Sequence, residues 1–160
     1  MPRVNEFDVV AVANAVRHLI LAGDQFRSAF ASQLRINVTE LTALGYLIES
    51  GEPTPKRLAQ LLGITTGSVT GMVDHLEAIG LIIRVPNPVD RRSILVHPTL
   101  AAVAAMRGVY DQYHAALARA LESGAQIPPP ELALLLEHTG AILAEAAVPS
   151  PRSPGRRPRG

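Results

Sequence analysis

The hydrophobic period of this chain changes at Gly80, and that change constrains the fold more than any other feature. From Thr54 to Ile79 apolar residues recur every three or four positions, the mark of helices with one buried face. Thr54-Pro55 opens a short helix with Pro in its first turn, Leu58, Ala59, Leu61 and Leu62 supply its apolar side, and Gly63 closes it. Thr65 or Thr66 caps a second helix, whose Val69, Met72, Val73, Leu76 and Ile79 share one face. Beyond Gly80 the pattern becomes that of strands. Leu81-Ile82-Ile83-Arg84-Val85 reads as one strand, Pro86-Asn87-Pro88-Val89-Asp90 as a turn, and Arg91 to His97, with Ile94, Leu95 and Val96, as a second strand. Two helices joined by a tight turn and followed by a hairpin predict a helix-turn-helix carrying a wing. Pro98 cannot donate a ladder hydrogen bond, so the second strand is expected to end early.

Long helices flank this unit. Val9, Val12, Ala13, Val16, Leu19, Ile20, Gly23, Phe26 and Phe30 predict one over about 6–32. Asn37 and Thr39 offer start signals for another, with Leu41, Leu44, Leu47 and Ile48, that ends at Ser50-Gly51. After Pro98-Thr99, the series Leu100, Val103, Met106, Val109, Tyr110, Tyr113, Leu117 and Leu121 predicts a helix over about 99–123, stopped by Gly124. A last helix, about 130–146, follows Pro128-Pro129-Pro130, and from Val148 the Pro, Arg, Ser and Gly content predicts a disordered tail. The expected fold class is mainly α with a small β-hairpin wing, a winged helix-turn-helix flanked by long dimerisation helices. The boundaries are an N-terminal arm at 1–36, the winged domain at 37–98, C-terminal dimerisation helices at 99–147 and an Arg/Pro-rich tail at 148–160. Three long helices carry more apolar surface than a winged domain covers. Burying it in a second copy stabilises by roughly 25 cal/mol per Å², which predicts a homodimer.

Composition narrows the function. At 160 residues the chain is one ordinary domain, too small for a large enzyme. There is no cysteine, so thiolate catalysis, Cys-held zinc and thiol switching are excluded. No Gly-rich phosphate loop, nucleophile elbow or metal-hydrolase pattern occurs, so no catalytic residue and no cofactor are expected. Glu6 and Asp8 interrupt the N-terminus before any apolar run, which speaks against a secretory signal, and no apolar stretch approaches the roughly 20 residues of a membrane span. A cytoplasmic location is expected. The formal charge is +1, yet Arg152, Arg156, Arg157 and Arg159 crowd the end and leave 11 basic against 14 acidic residues elsewhere. Nucleic-acid binding therefore needs a local patch rather than a basic body.

Such a patch is present. Opposite its apolar face, the helix after Gly63 carries Thr66, Gly67, Ser68, Thr70, Gly71 and His75. Small residues let a helix approach base edges, and hydroxyls bond to bases or phosphates. The hairpin tip supplies Arg91 and Arg92. A helix suited to the major groove beside a cationic loop suited to the minor groove points to duplex DNA. Helix-turn-helix packing alone is shared by many proteins that bind none, so the arginine tip decides the reading.

Residues 54–99, TPKRLAQLLGITTGSVTGMVDHLEAIGLIIRVPNPVDRRSILVHPT, resemble the MarR family of bacterial transcription regulators. The resemblance rests on Val73-Asp74-His75-Leu76-Glu77, Gly80-Leu81-Ile82, Arg84 and Asp90-Arg91-Arg92, and extends more weakly over about 5–146. It implies a homodimer reading a pseudo-palindromic operator, with a small-molecule crevice between arms and winged domain and, most simply, repression. It implies base contacts from Thr66, Ser68 and Thr70, with Thr65 and His75 counted among the DNA-binding residues, and a minor-groove contact from Arg92 oriented by the Asp90 carboxylate. Arg91, Thr54, Lys56 and Arg57 would touch phosphates. Two positions depart from the pattern: His75 and Gly71 stand where many members carry basic residues. No Lys or Arg occurs between Leu58 and Ile83. A shallow salt dependence is therefore expected, each absent phosphate contact removing about 0.9 from the slope.

Blander readings stand beside these. Asp90 with Arg92 also fits a surface ion pair worth about 0–1 kcal/mol. Tyr46, Tyr110 and Tyr113 fit packing as well as an aromatic-ligand pocket, whose residues the resemblance does not supply. His18, His75, His97, His114 and His138, with Asp111 near His114, lack ligand spacing, so no metal is expected. The competing functions are a winged-helix module that binds protein instead of specific DNA, and a metal-responsive regulator.

Overall fold

A computed structural model describes residues 5–50, 53–90, 92–123 and 127–146. Arg91, Gly124 and the 148–160 tail, each given a role above, lie outside them. The elements in order are α1 (Glu6–Gln33), α2 (Val38–Ser50), α3 (Pro55–Leu62), α4 (Thr66–Ala78), β1 (Ile82–Pro86), β2 (Ile94–Pro98), α5 (Leu100–Glu122) and α6 (Pro129–Ala146). The chain divides into two compact units, Met1–Gln112 and Tyr113–Gly160.

In the first unit the helix ends follow from local chemistry. Asn5 caps α1, its side-chain oxygen accepting from Phe7 N–H at 3.1 Å. Asn37 and Glu40 form a reciprocal capping box on α2: Asn37 N–H donates to Glu40 Oε2 at 2.8 Å, and Glu40 N–H donates to Asn37 Oδ1 at 2.9 Å. Thr54 caps α3 and Thr65 caps α4. Gly63 ends α3 at φ 65° and Gly80 follows α4 at φ 76°, left-handed conformations that glycine adopts without a Cβ penalty.

The core lies where the elements of the winged domain converge. Leu44 and Leu47 of α2, Leu58 of α3, Val69, Val73 and Leu76 of α4, Ile82 of β1 and Val96 of β2 are all within 1% of complete burial. Phe30 and Ala31 at the end of α1 and Ala102, Met106 and Val109 of α5 close it. Phe30, Leu44, Leu47, Leu58, Val69, Val73, Leu76, Met106 and Val109 are positions the three-to-four spacing assigned to inner faces, whereas Ala31 and Ala102 are buried without having been assigned.

The hairpin is antiparallel, with Ile82 opposite Pro98 and Pro86 opposite Ile94. Pro98 therefore belongs to β2, against the expectation that it would end the strand. Thr99 N–H donates to Leu81 O at 3.0 Å, whereas Val96 N–H points the other way, to Pro53 O at 3.3 Å. Backbone amides alternate sides along a strand, so the amide missing at position 98 falls on the Val96 side and costs β1 no bond. At the tip β1 runs one residue further than the sequence suggests, to Pro86, while β2 begins later, at Ile94, because the turn ahead of it is closed by its own side-chain and backbone bonds. Asn87 Nδ2 donates to Ser93 Oγ at 2.8 Å, and Asn87 Oδ1 accepts from Val89 N–H at 2.9 Å.

Outside this core much apolar surface is uncovered. Along α1, Phe7 is 83% exposed, and Val9, Val12, Leu19 and Ile20 are exposed too. In the second unit α6 buries none of its residues, and Leu134, Leu135 and Ile142 face outward. No helix among the described residues is long and apolar enough to cross a membrane.

Candidate nucleic-acid interface

The predicted site residues fall on three neighbouring pieces of the winged domain: the start of α3, the outer side of α4 and the hairpin tip. At α3, Thr54 Oγ1 accepts from Arg57 N–H at 3.3 Å, while Lys56 and Arg57 extend into solvent. Arg57 Nη1 reaches Gln60 Oε1 at 3.4 Å. Thr54 is thus a cap, and the two cations are its exposed neighbours.

On α4, Thr65, Thr66, Ser68, Thr70 and His75 are all exposed, opposite buried Val69, Met72, Val73 and Leu76. Their hydroxyls are partly committed. Thr65 Oγ1 accepts from Ser68 N–H at 3.2 Å and shares a 2.9 Å hydrogen bond with Ser68 Oγ. Thr70 Oγ1 donates to Thr66 O at 3.0 Å, leaving oxygen lone pairs and a methyl group outward. The Thr70 hydroxyl proton is thereby committed to its own helix, and its oxygen is left as an acceptor. His75 is not a freely solvated side chain: its Nδ1 lies 2.7 Å from Oε1 of Glu40, a carboxylate on α2 that the sequence reading passed over.

The tip differs in one respect from expectation. Asp90 Oδ1 accepts from the Arg92 backbone N–H at 3.0 Å, and no ion pair to the Arg92 guanidinium occurs among the described residues. In a turn this tight the main-chain amide lies closer to the carboxylate than the end of a long side chain does. Asp90 shapes the loop that presents Arg92. Ser93 N–H donating to Asp90 O at 3.0 Å closes the same turn.

A second network ties β1 of the hairpin to α4. The Arg84 guanidinium on β1 hydrogen-bonds to Asp74, and its Nη1 donates to Glu77 Oε2 at 2.6 Å. Arg84 N–H adds a bond to Glu77 Oε1 at 3.2 Å. The hydrogen bond to Asp74 most strongly raises the guanidinium pKa above its ordinary value, burial opposes it, and the charge of Glu77 adds to it. Asp74, Glu77 and Arg84 appear in the sequence motif with no role attached. Their spacing, two carboxylates three apart on a helix and an arginine in the middle of the next strand, was the signal for this clamp.

Two open grooves border the α2 N-terminus. One, of about 340 Å³, is lined by Asn37, Thr39, Glu40, Ile64, Ser68 and Met72. The other, of about 280 Å³, is lined by Arg27, Thr39, Thr42, Tyr46, Leu61 and Leu62. Arg27 hydrogen-bonds Thr42 there. Tyr110 donates instead to Glu49 Oε1 at 3.1 Å. Among the described residues no three His, Asp or Glu side chains gather into a metal-binding cluster.

A helix, a left-handed glycine turn, a second helix with a polar outer side and an arginine-tipped hairpin define a winged helix-turn-helix protein. Residues 36–94 match the family model described as MarR family. The uncharacterized HTH-type transcriptional regulator YcgE of Bacillus subtilis is 38% identical over 77 residues, 48% of this chain and 50% of that protein. The chain spans about half the length of this and similar curated relatives. The fold extends further. The crystal structure of RV1404 from Mycobacterium tuberculosis superimposes with a TM-score of 0.70 at 26% identity, covering 93% of this chain and 99% of that one. A mutant MarR from Escherichia coli complexed with operator DNA shares the fold at a TM-score of 0.59 and 23% identity, over 91% of this chain and 100% of its own.

Proposed function

We propose that this chain is a homodimeric, DNA-binding transcription regulator of the cytoplasm. The observation that carries the reading is the outer side of α4: short, exposed hydroxyl side chains on a helix clamped by Arg84 to a hairpin whose tip presents Arg92. A long side chain there would hold the helix off the bases, whereas Thr66, Ser68 and Thr70 let it lie deep in a major groove. Thr65 caps the helix beside them, and His75 adds a ring further along. Arg92 enters the minor groove, with Asp90 shaping its loop and Arg91 beside it on a phosphate. Thr54, Lys56 and Arg57 grip the backbone. Support also comes from the MarR structure bound to operator DNA, which has the same fold.

Residues 37–98 form the reading domain in this proposal, and the arms at 1–36 and 99–147 pair two copies through the apolar surfaces left uncovered on α1 and α6. The Arg-rich 148–160 segment adds sequence-independent attraction. The simplest regulatory mode is repression relieved by a small molecule that binds one arrangement of the dimer better than another.

Fluorescence anisotropy with a duplex selected from a randomised pool tests the DNA reading. Wild-type protein should bind the selected duplex at least about a thousandfold more tightly than random duplex. Arg92→Ala should weaken binding to the selected duplex about tenfold with unchanged thermal stability. Equal affinity of wild-type protein for both duplexes contradicts the proposal and favours a module that binds protein.

A further inference from the structure

Glu40 is the one buried charged residue among those described, 4% exposed at the start of α2. A carboxylate removed from water is costly unless its oxygens are bonded. Here both are: Oε2 accepts from Asn37 N–H at 2.8 Å, and Oε1 lies 2.7 Å from His75 Nδ1. A carboxylate oxygen at this distance from a ring nitrogen suits a ring whose Nδ1 holds the proton, the carboxylate accepting. The other edge of the ring is open, the His75 side chain being 45% exposed. His75 lies seven residues, close to two full turns, after Ser68, which sets the two on one line along α4.

We propose that Glu40 is a positioning residue for base recognition: by holding Nδ1–H it turns His75 Nε2 outward as a hydrogen-bond acceptor for the exocyclic amino group of adenine or cytosine in the major groove. The inference rests on the reading of α4 as the duplex-facing helix. The capping box fixes Glu40 from one side, so the ring has a rigid support on α2 rather than on its own helix. In the neutral ring a protonated Nδ1 leaves Nε2 bare. In the major groove adenine N6 and cytosine N4 donate, whereas guanine N7 and O6 and thymine O4 accept. The outward atom therefore selects between base pairs, and Glu40 sets which kind of atom it is.

Glu40→Gln tests this with little change of shape. Glutamine also serves in capping boxes. With its amide oxygen kept on Asn37 N–H, its amide nitrogen donates to Nδ1, which moves the ring proton to Nε2 and makes the outward atom a donor. Nitrogen-15 spectra of the histidine ring, recorded on the full chain at alkaline pH with the ring neutral, should show Nδ1–H in wild-type protein and Nε2–H in Glu40→Gln. Against a duplex selected from a randomised pool by wild-type protein, Glu40→Gln and His75→Ala should each bind about tenfold more weakly. Reselection with Glu40→Gln should change the preferred base at one position per half-site from adenine or cytosine to guanine or thymine. Thermal denaturation of Glu40→Gln close to wild type confirms an intact fold. An unchanged ring proton in Glu40→Gln, or wild-type affinity in His75→Ala, overturns the proposal. If wild-type protein selects no duplex, the reading of α4 fails instead, and the ring spectra still report whether Glu40 sets the proton.

Discussion

Gly63 sits at φ 65°, where a Cβ atom meets its own backbone although no neighbouring residue lies within 4 Å of the added carbon. The cost of filling it is thus conformational. Gly63→Ala should lower unfolding stability by about 1–2 kcal/mol, read from the urea midpoint, because an L residue must hold a left-handed turn. Residues of this kind were legible in the sequence: Thr54, Gly63 and Thr65 act on neighbours within four positions, and their chemistry is written beside them. Glu40 and His75 were not, since they meet across 35 positions and only the packing of α2 on α4 joins them. The Asp90–Arg92 pair was legible as a contact, but its donor was misassigned, because spacing does not tell a main-chain amide from a guanidinium.

At the scale of elements, the change of period at Gly80 located both helices and the hairpin, while the strand ends depended on bonds that periodicity does not register. Pro98 stays in β2 because of the side its missing amide faces, and the turn that Asn87 and Ser93 bond across delays the start of β2 to Ile94 while β1 reaches Pro86. The α2–α5 contact offers a separate measurement. Burial, then the hydrogen bond to Glu49 and its charge, push the Tyr110 phenol above its ordinary value. The folded chain therefore keeps this proton after the unfolded chain has lost it. The stability from the contact is complete below pH about 10 and disappears as pH rises through the higher folded value. Tyr110→Phe should cost about 1 kcal/mol near neutrality. In thermal denaturation against pH, its deficit relative to wild type should shrink above pH about 10. A deficit that stays constant across the alkaline range contradicts the contact's role.

For the whole molecule, surface left over is as informative as surface buried. The core of the winged domain, built on Leu44, Leu58, Val73, Leu76 and Val96, takes only the end of α1 and the start of α5 into it, yet α1 and α6 keep long apolar stretches exposed. The sequence showed that excess and not which chain covers it, since helical spacing looks the same whether a stripe meets its own domain or a second copy. Charge acts at this scale too. With no Lys or Arg between Leu58 and Ile83, the proposed affinity for DNA has to come from close fit along α4, the cations of α3 and the tip. The most direct test of the central claim, that paired winged domains grip one duplex, is hydroxyl-radical footprinting of wild-type protein on its selected duplex. Two symmetric protected patches should appear about one helical turn, roughly 34 Å, apart, each with a minor-groove flank that loses protection in Arg92→Ala. A single unsymmetrical patch, or protection no greater than on random duplex, would contradict it.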